Sequence, residues 1–188
     1  LDINSPGGEA YGMSDAARSI RSIAGAAGKK VTAVINSICA SAAYGLASAA
    51  DEIVVTESGV AGSIGVVMVH YDVSDRASKM GVRATVITAG KNKATGHPFA
   101  PLDDEAHKKL KAKVDRIMDG FTKLVADHRP GLTAAKVRAL EADTFLGEDA
   151  VKAGLADRVG PSEDVIARLS TGRASSAPRR SAGANAEI

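Results

Sequence analysis

A single cysteine, Cys39, is all the thiol this 188-residue chain contains, so it forms no internal disulfide and has no second thiol with which to build a metal site. That favours a reducing compartment. Net charge is almost absent too: 24 Lys and Arg against 22 Asp and Glu leave +2. Four of the positive residues, Arg168, Arg173, Arg179 and Arg180, crowd towards the C-terminus, which leaves the body near neutral and argues against nucleic acid as a partner. No stretch approaches the roughly 18 consecutive apolar residues of a spanning helix. Nor does any basic segment lead into an apolar run at the N-terminus. These absences predict a soluble chain with no membrane segment. There is no internal repeat, and no Lys-Ser/Thr follows a Gly-x-x-x-x-Gly spacing to make a nucleotide loop. No metal and no cofactor are expected.

What is present is ordinary globular composition, 45% hydrophobic and 24% charged, with room for one core. Two hydrophobic periods alternate along the chain, which predicts an α/β domain. Residues 1–3 read as the end of a buried strand entering the turn Asn4-Ser5-Pro6-Gly7-Gly8, as if the protein began earlier and its first strands were missing. A helix is expected over 14–23 with Ala17, Ile20 and Ala24 on one face. Strands are expected over 31–35, 52–56, 64–69 and 84–88, and helices over 41–50 and 72–80.

From Asp103 an apolar stripe recurs at three- and four-residue steps through Leu110, Val114, Ile117, Met118, Phe121, Leu124 and Val125, the pattern of a helix packed on a core. Thr133 should cap the next helix, 147–154 a short one, and 155–159 a strand. Beyond Leu169 the composition turns to Ser, Gly, Ala, Pro and Arg, too poor in apolar surface to fold. The expected organisation is one folded domain over 1–169 and a tail or linker over 170–188.

Three segments could carry chemistry. The turn 4–8 lies between a strand and a helix, where glycine lets backbone N–H groups approach an anion, or simply makes a tight connection. In Cys39-Ala40-Ser41-Ala42-Ala43-Tyr44 a strand delivers a serine to the first turn of a helix. There its hydroxyl could attack a carbonyl while the Ala42 N–H meets the oxyanion, or it could only cap the helix. Within Gly59–Gly65, Ser63 could orient a partner, or the glycines could serve packing alone.

A nucleophilic serine needs a base. His107 and His128 lie on or at the end of the long helix and read as solvated. His70 and His97 have no clear acidic partner, His97 being the better placed of the two. The other choice is Lys91 or Lys93 in the loop after residues 84–88. A lysine accepts a proton only when neutral, which requires burial of a group whose reference pKa is about 10.4. Cys39, two residues before the helix, reads as a small buried apolar residue, and a cysteine nucleophile there is the lesser option.

Taken in order, Asn-Ser-Pro-Gly-Gly, Ala-Ser-Ala-Ala-Tyr, Ala-Ser-Ala-Ala-Asp, Gly-Ser-Ile-Gly-Val, Gly-Lys-Asn-Lys and His-Pro-Phe resemble the signal peptide peptidase A family of serine proteases. The resemblance runs from residue 1 to about 160. It is closest to the phage branch, the head protease of the minor capsid protein C type, with Phe-Leu-Gly-Glu-Asp-Ala and Gly-Leu-Ala-Asp-Arg-Val downstream. It implies a Clp-protease or crotonase-like superhelix of ββα units and a Ser/Lys dyad. By motif position Ser41 matches the nucleophile and Lys93 the general base. Ser63 matches the lysine-orienting serine, and Gly8, with Gly7 in reserve, and Ala42 match the oxyanion donors. Many members carry Gly-Gly where this chain has Ala42-Ala43, which narrows the adjacent pocket.

The function so implied is a serine endopeptidase acting on a peptide or protein in phage prohead maturation or scaffold processing. It would be a homo-oligomer with capsid or scaffold partners in the cytoplasm of an infected bacterium. The bacterial counterpart would degrade membrane-derived peptides and be held at the membrane by an anchor outside this sequence. Two further readings keep the fold: a crotonase-like acyl-CoA enzyme, for which no suitably placed glutamate is evident, and a non-catalytic capsid-associated protein.

Overall fold

The structure, a computed structural model, describes residues 1–171, so the expected tail lies from residue 172 onward outside the described residues. The described residues divide into two compact units, residues 1–65 with 118–171, and Val66–Ile117.

The first unit holds a six-stranded sheet. Its strands are β1 (Asp2–Ser5), β2 (Thr32–Ala40), β3 (Glu52–Val55), β4 (Val60–Gly62), β5 (Thr144–Leu146) and β6 (Arg158–Val159). The order is β5-β4-β2-β3-β6, with β1 also on β2, and every pairing is parallel except β4 with β5. Ile53, Val54 and Val55 are all fully buried, which explains why β3 reads as an unbroken β-branched run: a parallel strand covered on both faces does not alternate.

β2 runs five residues past its expected end. Thr32–Ile35 pair with β3, and Ile38–Ala40 pair with β4. Where β3 gives way to β4, Thr56 donates its N–H to the Ile35 carbonyl at 3.0 Å and its hydroxyl to the Asn36 carbonyl at 2.7 Å. One long strand thus carries two short ones, and its far end reaches the helix where Ser41 sits.

Helices α1 (Met13–Ala26), α2 (Ala42–Ala47), α5 (Ala134–Arg138), α6 (Gly147–Lys152) and α7 (Ser162–Ser170), with the Met118–His128 part of α4 (Asp104–His128), complete this unit. Ala17 on α1 is buried, as its stripe predicted, and Ile20 and Ala24 are half-buried. Thr133 caps α5, its side chain accepting from the Lys136 N–H at 3.2 Å. Tyr44 of α2 donates its hydroxyl to the Leu155 carbonyl at 2.9 Å. Arg129, 4% exposed, grips both oxygens of Asp157 at 2.9 and 3.0 Å, and Asp157 also accepts the Ile53 N–H at 2.7 Å.

Glu52, at the start of β3, accepts from Arg158 at 3.1 Å and from Arg168 of α7. Burial alone would raise its carboxyl, but the two guanidiniums outweigh that and hold it below the usual range. A depressed carboxyl stabilises the fold above its unfolded pKa, near 4.3, and ceases to do so as pH falls through the folded value. Glu52→Gln should therefore melt below wild type at pH 7, with the gap closing towards pH 3 in a CD-monitored titration.

The second unit contains α3 (Ser74–Lys79) and the Asp104–Ile117 part of the long helix α4 (Asp104–His128), whose remainder, Met118–His128, belongs to the first unit. The stripe of α4 is buried at Phe121, Leu124 and Val125 and half-buried at Leu110, Val114, Ile117 and Met118. Between Val66 and Ile117 no described residue is fully buried.

Here two expectations are corrected. Residues 64–69 and 84–88 are not strands, the strand of that glycine-rich region being β4. Apolar β-branched sequence supplies the capacity to pair, and without a partner strand no ladder forms; Val67 is left 84% and Ile87 91% exposed. Strand β5 and helix α7 were not anticipated.

Candidate active site

The site is built where β1 and β2 end side by side. β2 passes directly into α2 at Ser41, whose backbone sits at φ 53, ψ −128, far from the helical and extended basins. A non-glycine residue in such a conformation costs on the order of 1–3 kcal/mol and persists only where its surroundings impose it. Here they do: the Ser41 N–H donates to the Gly62 carbonyl at 2.9 Å, and the Ser41 carbonyl accepts the Gly45 N–H at 3.1 Å. The Ser41 hydroxyl makes no capping bond to α2. The plain capping role that position allows is therefore not the one it plays.

Gly7 lies against this turn. A methyl group on it would meet Ser41 Cβ at 2.7 Å, the Ala40 carbonyl oxygen at 2.8 Å and the Ala42 nitrogen at 3.0 Å, and its φ of 105 also demands glycine. Its own N–H is engaged by Ser5 Oγ at 3.2 Å. Gly8, one residue on, is exposed, with nothing within 4 Å of where a side chain would begin. As the first residue of α2, Ala42 has an N–H with no intrahelical acceptor. Ser41, Ala42 and the glycine turn are therefore brought together.

Ser63 joins them through its neighbour, since Gly62 is the residue that receives the Ser41 N–H. Ser63 has φ 52 and donates its N–H to the Asp143 carbonyl at 2.8 Å. The antiparallel partner β5 fixes this segment from the other side. Sequence reasoning missed that support, because nothing in residues 140–146 marks them as a neighbour of Ser41.

Lys93 belongs to the second unit, on a series of turns closed by Lys93 N–H to Gly90 carbonyl at 3.1 Å and His97 N–H to Ala94 carbonyl at 3.1 Å. It is exposed and has no ion pair among the described residues, whereas Lys91 lies 3.7 Å from Glu105. In the same unit His97 Nδ1 accepts the Phe99 N–H at 3.2 Å, and the His97 carbonyl lies 3.1 Å from His70 Nε2. His107 is exposed, as expected.

His128 is not solvated as expected. It is half-buried, with Nδ1 3.2 Å from the hydroxyl of fully buried Ser48, and burial, aided by Arg21 and Arg18 and opposed by Asp127, lowers its pKa. Cys39 is fully buried, and burial pushes its thiol up to about 12, which leaves it protonated and inert.

No helix among the described residues is long and apolar enough to cross a membrane, and no group of three or more His, Cys, Asp or Glu among them could hold a metal.

The chain is similar to known proteins along most of its length. Capsid assembly protease C of Escherichia phage lambda is 36% identical over 166 residues, 88% of this chain and 37% of its own. A protein of Enterococcus faecium assigned as signal peptide peptidase SppA is 31% identical over 169 residues, 90% of this chain and 49% of its own. The chain thus spans half or less of these relatives. Among solved structures, a variant of the 1510-N membrane-bound stomatin-specific protease superposes with a TM-score of 0.56 at 14% identity, covering 89% of this chain and 66% of that one. That likeness shows the fold to be the Clp-like α/β architecture that the motifs implied. The model of peptidase family S49 matches residues 24–175, and the chain belongs to that family.

Proposed function

We propose that this chain carries the catalytic core of a serine endopeptidase working through a Ser41/Lys93 dyad. The observation that supports this most is Ser41 itself: a strained, uncapped serine at a strand-to-helix junction, with the unpaired Ala42 N–H beside it and Gly7 packed against it. In this reading the Lys93 amine, oriented by Ser63, takes the Ser41 proton as Oγ attacks the scissile carbonyl. The oxyanion is received by the N–H groups of Ala42 and Gly8, each contributing about 3 kcal/mol. Gly8 is favoured over Gly7 because the Gly7 N–H already has Ser5 as acceptor. Protonated Lys93 passes its proton to the leaving amine, and water then cleaves the acyl-enzyme by the same relay.

Fluorophosphonate labelling followed by mass mapping tests the dyad. Modification should fall on Ser41 and disappear in both Lys93→Ala and Lys93→Arg, since a guanidinium keeps the charge but cannot take a proton. A label on Cys39, or none, would remove the reading.

Similarity to the lambda capsid assembly protease supports scaffold or capsid protein as substrate and partner, and hence the cytoplasm of an infected bacterium. The Enterococcus relative favours a second role, degradation of membrane-derived peptides. Purified scaffold and synthetic signal peptides, offered in parallel, separate the two.

Assembly into a homo-oligomer is part of the proposal. It is supported by the second unit, which buries no described residue yet exposes Val67, Val69, Tyr71 and Ile87 by 84, 58, 72 and 91%. Light scattering should give a multiple of the 19.2 kDa chain mass.

A further inference from the structure

Two other residues of the first unit share the positive φ of Ser41 and Ser63, and neither is glycine or asparagine. Glu141 and Ala142 have φ of 50 and 58, and the Asp143 N–H closes onto the Leu140 carbonyl at 2.9 Å. Positive φ at both central positions with that closure is a type I′ turn, which ordinarily selects Asn-Gly. Residues with a Cβ cost about 1–2 kcal/mol each in this region, so the turn stores strain.

That strain is held beside the serines. The Ala142 methyl faces Gly65 so closely that a methyl built on Gly65 would sit 2.6 Å from it, with the next atom, Ala142 Cα, at 3.9 Å. The next residue, Asp143, accepts the Ser63 N–H through its carbonyl at 2.8 Å, while the Gly65 N–H returns to the Ser63 carbonyl at 2.9 Å. A methyl on Gly62 would meet the same Asp143 carbonyl oxygen at 2.5 Å. Segment 62–65 thus lies against the turn on one side with no room for a further methyl, and its Gly62 carbonyl holds the Ser41 N–H.

We infer that the turn 140–143 is a positioning clamp for the catalytic serines, with Ala142 as its contact residue. Ala142 touches no reacting atom. It sets where Gly62–Gly65 lies, and through the Gly62 carbonyl and the Ser63 backbone it sets the aim of Ser41. This rests on the reading of Ser41 as nucleophile.

The test exploits one steric fact. Gly65 is not among the positive-φ glycines, so alanine is allowed there by backbone and is opposed by the Ala142 methyl alone. Gly65→Ala should push the segment away and lower the maximal rate of fluorophosphonate labelling at Ser41 about 10- to 100-fold, with half-saturation unchanged. Gly65→Ala combined with Ala142→Gly removes the opposing methyl and should return the rate to within about threefold of wild type.

Rescue of rate, not merely of melting temperature, is the outcome that supports positioning. Wild-type labelling in Gly65→Ala would overturn the clamp, as would a double variant that melts cooperatively yet labels as slowly as the single one. If Gly65→Ala fails to fold, the double variant decides on the same criterion. A wild-type protein that labels elsewhere than Ser41 fails at the earlier step, and that failure is visible before any variant is made.

Discussion

A Ser41→Ala protein is expected to lose at least about 10⁴-fold in kcat while melting within about 2 °C of wild type. The separation of the two effects follows from the geometry. The Ser41 hydroxyl caps nothing, and the backbone bonds that hold the turn, N–H to Gly62 and carbonyl from Gly45, survive the change. Alanine tolerates φ 53 no better and no worse than serine, so no strain is gained or relieved. Retained turnover in Ser41→Ala, measured on any substrate the wild type cleaves, would remove the serine mechanism altogether. A collapse in melting temperature would show instead that the hydroxyl is structural.

Arg129→Leu should do the reverse, destabilising the fold by about 3–5 kcal/mol and lowering Tm by roughly 10 °C or more. The guanidinium is 4% exposed and holds both Asp157 oxygens as well as the Gly154 carbonyl at 3.3 Å. Removing it leaves Asp157, 28% exposed, with only the Ile53 N–H as partner. Its charge also acts on Tyr44, whose hydroxyl pKa burial raises and Arg129 lowers, and Tyr44 stands on α2, the helix that Ser41 precedes. Arg129→Leu with Asp157→Asn should recover part of the loss, because the larger cost is the abandoned charge and not the missing attraction. Differential scanning calorimetry of wild type and both variants checks this, and an Arg129→Leu Tm within 2 °C of wild type would refute it.

Legibility in the sequence followed the range of the forces involved. The β3 run, the α1 face, the α4 stripe and the Thr133 cap were all readable, because each arises from residues a few positions apart. Residues 64–69 and 84–88 were misread for the complementary reason: their composition is that of strands, but a strand is a relation between two segments, and neither finds its partner here. His128 was misread as solvated because its buried neighbour, Ser48, is 80 residues away. Strand β5 went unseen because three residues, Thr144–Leu146, carry too little pattern to announce pairing with β4.

At the site the division is finer. Local residue types left each candidate open, and it was the family resemblance of the ordered motifs that singled out Ser41, Lys93, Ser63, Ala42, Gly8 and Gly7. The strained φ of Ser41 and Ser63, the engagement of the Gly7 N–H, and the turn at Glu141-Ala142 were decided only by the fold. Left-handed backbone at serine, glutamate and alanine is never a local preference. It is imposed by hydrogen bonds and contacts from segments as distant as Asp143 is from Ser63, and such long-range constraint exists only once the sheet has closed around it.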